Sequence, residues 1–316
     1  MRALVTGGAG FIGSHLSDKL LSRGDQVTII DNLSTGSERN IQHLAGRIEL
    51  HDGDIRDSNL IDKLVRESDC VFHMAAALGV KNIMEDTIES IDRNFNGSDV
   101  VLKSATTHNK RLIIASTSEI YGKNPNQPLS EESDRVVGAP QIIRWSYADA
   151  KALEEAVAHT LYKTKGLKVT TVRFFNTVGP RQSGQYGMVL PRFVKNAIRG
   201  EDLVVYGDGS QSRVFCHVDD AVRAVIMLAD SNDSIGNYFN VGGVGEITIS
   251  DLAQKILSRT QSSSKLRYLP FSEAYPGGFE DIQRRVPDIT KIRKHLNWFP
   301  SHNLDSIIDS VIVSLK

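Results

Sequence analysis

Tyr147 and Lys151 are the two residues of this chain whose types and spacing are best suited to joint chemistry. They stand four apart at the head of a helical pattern that continues through Ala150, Ala152, Leu153, Ala156, Val157 and Leu161. On a helix that spacing puts both side chains on one face, one turn apart. A free phenol ionises near pH ~10 and is a poor base at neutral pH. An ammonium within a few ångströms favours the phenolate and makes the tyrosine a usable general acid/base. By themselves the two could equally be surface residues of an amphipathic helix, so the upstream chain matters. Ser116-Thr117-Ser118-Glu119 follows a strand pattern, residues 111–115. A hydroxyl there can hold a substrate hydroxyl beside Tyr147, and Glu119 can act as a second acid/base. The same four residues also suit a turn that caps the next segment.

Several elements must position these groups. Residues 3–6 read as a buried strand, followed by Gly7-Gly8-Ala9-Gly10-Phe11-Ile12-Gly13, a helix over 14–22, and a strand over 26–30 closing on Asp31. Gly7, Gly10 and Gly13 let the backbone approach a pyrophosphate at the helix N-terminus. Asp31 can accept both ribose hydroxyls of an adenosine, and its charge repels a 2′-phosphate, which favours NAD over NADP. The alternation continues: a strand at 48–51 leads to Asp54-Ile55 and a helix over 59–66. A strand at 70–73 ends at Ala75-Ala76-Ala77, small enough for a dinucleotide to lie against the backbone. Asn94 lies in a helical stretch reaching His108, and strands at 111–115 and 169–173 follow. This pattern predicts an α/β fold, a Rossmann-like doubly wound parallel sheet with its ligand site at the carboxyl ends of the strands.

Beyond residue 175 loops interrupt the alternation. Residues 176–181 and 184–187 read as loops and 191–199 as a helix, with a strand and turn over 203–209. Residues 214–218 form one strand pattern, and Asp219-Asp220 can cap a helix over 221–229. Residues 239–242 and a helix over 250–259 follow. Residues 260–290 look irregular, with Pro287-Asp288 capping a last helix. The expected division is a cofactor domain over 1–175, rejoined by segments near 214–242, and a smaller C-terminal α/β substrate-binding domain, mainly 176–316. The nine histidines are scattered without metal-ligand spacing, so no metal is expected.

Composition narrows the class. With 316 residues, 40% hydrophobic and 24% charged, the chain has ordinary globular proportions. A net charge of −1 offers no electrostatic case for nucleic acid or a membrane surface. Only two cysteines occur, Cys70 and Cys216, both in apolar runs, which argues for a reducing compartment. Met1 runs directly into the first strand, with no leader pattern and no span of about 18 apolar residues, so a cytoplasmic location is expected.

The glycine motif, Asp31, Asp54-Ile55, the 116–119 turn, Tyr147-x-x-x-Lys151 and Arg173-Phe174-Phe175-Asn176 occur here in one order. Together they resemble the extended short-chain dehydrogenases/reductases, specifically their nucleotide-sugar epimerases, dehydratases and decarboxylases. The resemblance runs from Met1 to about residue 300 and includes residues 207–213, similar to the family's sugar-nucleotide segment. It implies that Gly7, Gly10, Phe11, Ile12, Gly13, Asp31, Asn32, Asp54, Ile55, Ala75, Ala76, Ala77 and Asn94 surround NAD. It further implies that Tyr147 takes the proton of a sugar hydroxyl, assisted by Thr117, Ser118 and Glu119, while Lys151 tunes the tyrosine and binds the nicotinamide ribose. Asn176, Arg213 and Arg284 would hold the diphosphate, and Val189, Leu190 and Tyr206 the base. A UDP-sugar substrate and a homodimer through the helices near 100 and 155 follow from the same likeness.

All members of this group pass through a 4-keto sugar, and their later steps differ. Glu119 departs from the usual 4-epimerase pattern and Ser118 from the usual 4,6-dehydratase pattern, although GDP-mannose dehydratases have Thr-Ser-Glu; UDP-glucuronate decarboxylases also have it, and in some cases an arginine placed like Arg144. Residues 75–81 and 176–186 look more like sequences usually called UDP-glucose 4-epimerase. The expectation is therefore 4-epimerisation of a UDP-hexose, in which Glu119 has no required chemical part. UDP-glucuronate decarboxylation and 4,6-dehydration are the alternatives, and a non-catalytic NAD-binding module is the alternative from another class. One consequence is independent of the reaction. Acid extracts of the purified protein should contain NAD, and finding NADP instead would contradict the part given to Asp31.

Overall fold

Strand β1 (Arg2–Thr6) buries four of its five residues, which fits a central strand covered on both faces. Around it form β2 (Gln26–Asp31), β3 (Ile48–Asp52), β4 (Cys70–His73), β5 (Arg111–Thr117) and β6 (Lys168–Phe174). Four short strands follow: β7 (Thr177–Val178), β8 (Leu203–Tyr206), β9 (Ser212–Val214) and β10 (Cys216–His217). The chain then returns as β11 (Tyr238–Val241) to complete a seven-stranded sheet of order β11-β6-β5-β4-β1-β2-β3, parallel throughout. This is the Rossmann-like architecture that the alternating pattern implies. The computed structural model describes residues 1–77, 86–184, 188–274 and 280–316.

The order of strand addition reverses between β1 and β4: β2 and β3 extend the sheet one way, and β5, β6 and β11 the other. The loops leaving β1 and β4 diverge there and open a crevice at their carboxyl ends. Helices Phe11–Ser22 and Val218–Asp230 share a core with one sheet face through Leu16, Leu20, Val222 and Val225. Helices Ser58–Glu67, Thr87–Thr107 and Ser146–Lys165 cover the other through Ile61, Leu64, Val101, Leu102 and Ala158. A third cluster joins helices Val189–Arg199, Ile249–Thr260 and Leu304–Leu315 in the C-terminal part.

The C-terminal part departs from the sequence reading in three places. The single strand expected over 214–218 breaks at Phe215. There β9 pairs with β12 (Glu246–Thr248), β10 pairs with β7, and Val218 already begins a helix. Phe215 packs in the C-terminal cluster while Cys216 and Val218 pack under the main sheet, so the chain changes cores at that residue. Residues 260–290 contain β13 (Leu266–Leu269), parallel to β8, and β14 (Arg284–Arg285), parallel to β9. Strands this short carry too few residues for a readable period. Two helices, Thr290–Leu296 and Leu304–Leu315, end the chain where one was expected.

Asp220 fastens the last segment to the main sheet. It is buried and accepts from Ser301 N at 2.9 Å, Ser301 Oγ at 2.7 Å, His302 N at 3.0 Å and Arg223 Nη2 at 2.6 Å. Burial pushes its carboxyl up, but these donors outweigh burial and hold it below the usual carboxylate range. Asp220→Ala leaves buried donors unpaired and should cost about 3 kcal/mol, read as a lowered urea midpoint at pH 7. Because the folded-state pKa is depressed, this stabilisation is present above the unfolded value near ~3.9 and is lost as pH falls below it. The gap between wild type and variant should therefore close in acid. A gap that stays constant with pH would show that the charge is not what stabilises.

Candidate active site

A cavity of about 850 Å³ opens at the carboxyl ends of the central strands. It runs from the glycine turn past Tyr147 to Tyr206 and Arg213, so one continuous cleft joins the two sets of residues expected to hold cofactor and substrate.

The glycine turn is shaped by contacts that exclude side chains. Gly7 has φ of +67°, and a Cβ there would lie 2.7 Å from Ala75 Cα. A Cβ on Gly13 would lie 2.2 Å from the Gly7 carbonyl oxygen. The helix that follows has Gly10 at its N-cap, no side-chain cap and no acidic residue in its first turn. Its positive end is thus left to the cleft, an arrangement suited to a pyrophosphate. Asp31 is buried, and its two oxygens accept from Ala9 N and Leu33 N, each at 2.9 Å. Burial raises its pKa while those amides oppose the rise. The carboxylate is fixed in place with lone pairs left for ribose hydroxyls. Asp54 is gripped by Arg56 Nε at 3.0 Å and Nη2 at 2.8 Å, chiefly through which its pKa falls to about 2, and Asn32 Nδ2 donates to it at 3.1 Å. Gly7, Gly10, Phe11, Ile12, Gly13, Asp31, Asn32, Asp54, Ile55 and Ala75 to Ala77 all line the cleft. Asn94 does not. It is buried behind Ala77, accepting from its N–H at 2.8 Å and donating to its carbonyl at 3.1 Å, so it shapes the backbone against which a dinucleotide can lie.

Thr117 ends β5, and its hydroxyl accepts from Glu119 N at 3.1 Å, so the turn is capped as a plain Ser/Thr turn would be. The same hydroxyl favours ionisation of the Tyr147 phenol, whose ring is buried at the head of helix Ser146–Lys165. That helix buries only part of its apolar stripe. Leu153 is half exposed, and the buried face carries Tyr147, Lys151, Glu154 and Glu155. Lys151 lies beneath the cleft rather than in its wall, its ammonium donating to Ala115 O at 2.8 Å and Glu154 Oε2 at 2.7 Å. The Tyr147 phenol is pushed up, first by burial and then by the charges of Glu119 and Glu154. That direction is the reverse of what the Tyr-x-x-x-Lys spacing predicts, chiefly because the ring is buried and two carboxylates face it.

Glu119 is the most constrained group of the cleft. Its Oε2 accepts from Arg144 Nη1 at 2.6 Å and its Oε1 from Arg285 Nη1 at 2.5 Å. Burial alone would raise its pKa, but the two guanidiniums hold it far below the usual carboxylate range. Arg285 also donates to Asn176 Oδ1, and Asp281 accepts from Arg213 Nη2 at 3.1 Å and lies 3.6 Å from Arg144 Nη2. Ser118, Asn176, Val189, Leu190, Tyr206 and Arg213 line this half as expected from the sequence.

Arg284 does not. It turns outward and pairs with Glu246 at 2.6 Å and 2.7 Å, while its neighbour Arg285 faces the cleft. The register explains the exchange. Arg285 is paired with Arg213 across β9 and β14, so the two share a face, and alternation sends Arg284 to the other. Sequence reading also passed over Asp281 and Glu154. Arg285 Nε, Arg192 Nε, Thr177 Oγ1 and Gln182 Oε1 are buried without hydrogen-bond partners among the described residues, all on side chains of the cleft wall. A polar, phosphorylated ligand satisfies such groups.

Outside the cleft, His217, Asp219 and His302 come together with ligand-type atoms within 4.8 Å of one another. Both nitrogens of His217 are engaged, with Asp219 N at 3.2 Å and Ser310 Oγ at 3.1 Å, and His302 Nδ1 meets Asp220 at 2.9 Å. The group reads as a fastening between segments. Among the described residues no helix is long and apolar enough to cross a membrane.

The family described as GDP-mannose 4,6 dehydratase matches residues 4–311. The chain belongs to this family, within the extended short-chain dehydrogenases/reductases. It is 47% identical over 301 residues to a UDP-N-acetyl-alpha-D-glucosaminuronate decarboxylase of Bacillus cytotoxicus, covering 95% of this chain and 93% of the relative. Among solved structures, the UDP-glucose 4-epimerase of Thermotoga maritima, described with UDP-glucose, superposes with a TM-score of 0.90 at 28% identity, covering 99% of this chain and 98% of that one. A dTDP-glucose 4,6-dehydratase of Streptomyces venezuelae with NAD bound gives 0.88 at 29%, covering 98% and 96%. Three reactions thus share one fold, and the chain is an enzyme of this NAD-dependent nucleotide-sugar epimerase, dehydratase and decarboxylase kind. Residues 78–81 and 185–186, part of the likeness to epimerases noted in the sequence, lie outside the described residues.

The two adjacent arginines provide a direct check on the geometry. Arg285→Ala strips Glu119 of one partner and should lower kcat/KM at least a hundredfold, whereas Arg284→Ala should stay within about threefold of wild type. Equal losses would mean that β14 faces the cleft in a different register.

Proposed function

We propose that this enzyme decarboxylates a UDP-hexuronate, UDP-N-acetylglucosaminuronate in preference to UDP-glucuronate. The observation that carries the reading is the clamp of Glu119 between Arg144 and Arg285. The cofactor is NAD, which when bound supplies reversible oxidation of the sugar at C4.

Tyr147 holds and moves the proton of the sugar 4-hydroxyl, and Thr117 keeps that oxygen and the phenol aligned. With C4 as a carbonyl, the C6 carboxylate lies β to it. The C5–C6 bond can then break with its electron pair passing to the C4 oxygen, which the Tyr147 hydroxyl stabilises by hydrogen bonding. Carbon dioxide leaves and C5 takes a proton from solvent. Glu119 contributes a fixed negative charge, which disfavours a neighbouring substrate carboxylate more than the transition state in which that charge has moved toward C4. Arg144 and Arg285 pair with Glu119, and Arg213 and Arg144 with Asp281, so this wall carries a cluster of guanidiniums suited to drawing in an anionic sugar nucleotide.

The alternatives fit this cluster less well. A dehydratase needs a base for the C5 proton, and a carboxylate held so far down is a poor one. An epimerase needs neither the carboxylate nor its two arginines, and the solved epimerase is far less similar in sequence than the decarboxylase relative. The reading therefore moves from 4-epimerisation, expected from sequence, to decarboxylation. A dimer through helices Thr87–Thr107 and Ser146–Lys165 remains part of the proposal, supported by the exposure of Ile88, Ile91 and Leu153.

Incubation with UDP-N-acetylglucosaminuronate, UDP-glucuronate and UDP-glucose, followed by NMR and carbon dioxide trapping, tests the reading. One carbon dioxide should appear per UDP-pentose formed, fastest from the N-acetylated sugar. Glu119→Gln should lose about a hundredfold or more, the scale of a missing preorganised charge. Conversion of UDP-glucose alone, with Glu119→Gln still active, would restore the epimerase reading.

A further inference from the structure

Below the cleft floor lies a run of buried polar groups that the reaction steps above leave unused. Glu154 and Lys151 each have side chains only 1% exposed, with Oε2 and Nζ 2.7 Å apart. A carboxylate buried to this degree costs several kcal/mol unless its charge is matched, so a partner must hold it there. The match comes from two sides. Lys151 is on the same helix, its ammonium shared with Ala115 O of β5. Burial raises the Glu154 pKa, and the Lys151 ammonium opposes that rise, as does the hydroxyl of Ser98 on helix Thr87–Thr107, although Glu154 Oε1 gains no well-formed hydrogen bond.

Ser98 is itself the end of a chain. Its Oγ lies 2.9 Å from His73 Nε2, His73 Nδ1 lies 2.7 Å from Thr6 Oγ1, and Thr6 Oγ1 accepts from Ala75 N at 3.2 Å. Thr6 Oγ1 accepts from the Ala75 amide, which can only donate. With the Ser98 hydroxyl turned toward the Glu154 carboxylate, which can only accept, His73 donates from Nε2 to Ser98 and accepts from Thr6 at Nδ1. Burial, and after it the charge of Lys151, pushes the His73 pKa down to about 3, so the ring is neutral. The chain runs from the floor of the dinucleotide cleft at Ala75 to Ser98, the hydroxyl beside the Glu154 carboxylate.

We propose that Glu154 is a positioning residue for the acid/base step: by holding the Lys151 ammonium in an ion pair beneath the cleft, it sets the pH at which Tyr147 releases its proton. The groups facing it are few. Lys151 and Tyr147 belong to its own helix, as does Glu155, whose charge is taken by Arg173 of β6 at 2.7 Å. Ser98 and, behind it, neutral His73 face it from the other side. Without the Glu154 charge, Lys151 is uncompensated and a negative neighbour of Tyr147 is gone. Both changes favour the phenolate.

The inference rests on Tyr147 as the acid/base group, and the test separates the two ideas. Ultraviolet difference titration of the purified protein, referenced to Tyr147→Phe, reads the phenol without turnover. The pH profile of kcat/KM with the UDP-hexuronate reads it during turnover. Glu154→Gln keeps the size and should move both to lower pH by about one unit or more, while Glu154→Asp, which keeps the charge, should stay close to wild type. If Glu154→Gln does not fold, Glu154→Ser removes the same charge with room for a water and must shift in the same direction. Profiles that stay in place or move upward overturn the proposal. An active Tyr147→Phe would overturn the part given to Tyr147 and this inference with it. An inactive Tyr147→Phe alongside an unmoved Glu154→Gln would remove the inference alone.

Discussion

Glu119 sits at the carboxyl end of a central strand, and its two oxygens are held by guanidiniums 25 and 166 residues away in the chain. Much of the molecule is arranged so that this contact can form. The sheet must bring the end of β5 to the cleft, a short turn must set Arg144 just ahead of the Tyr147 helix, and β14 must lie beside β9 so that Arg285 faces inward. Removing one partner of such a buried pair commonly costs about 3–5 kcal/mol, about half of a typical domain's net stability. The clamp thus couples the cofactor sheet to the C-terminal strands, and either part out of place would leave a charge buried without its match.

A second balance of charge surrounds Tyr147. Glu119 lies toward the cleft and Glu154 beneath it, and both oppose ionisation of a phenol that burial already disfavours. Each carboxylate is in turn matched by basic groups, Arg144 and Arg285 for one and Lys151 for the other. The proton affinity of the tyrosine is therefore a property of the whole set. A lysine one turn away is only one contributor, and its effect depends on what else holds it.

The division of labour within the family follows from the same geometry. Under the proposed reading the glycine turn, Asp31 and Tyr147 would serve oxidation of a sugar at C4, and neighbours named for different reactions share the fold. What differs under the proposed reading is the chemistry beside the sugar. In this chain the cleft wall there carries Glu119, held well below the usual carboxylate range, together with Asp281 and the arginines that pair with them. A charged 6-carboxyl group is a better match to that wall than a neutral hydroxymethyl group, by charge alone.

Most of the sheet was legible in the sequence because a strand or helix of several residues leaves a period along the chain itself. Gly7 to Gly13, Asp31, the 116–119 turn and the Tyr147–Lys151 pair are equally local, since each function depends on residues within a few positions of one another. The short strands β9, β10, β13 and β14 leave no such period, and the break at Phe215 reflects which of two cores claims each side chain. Whether Arg284 or Arg285 enters the cleft is decided by the register of β14 against β9, which no local pattern records. That Asn94 grips Ala77, and that Lys151 is held by Glu154, depends on groups packed from other elements. Local spacing determined which chemistry this chain could carry. Register and burial, which exist only once distant segments meet, decided which charges face one another and therefore how that chemistry is tuned.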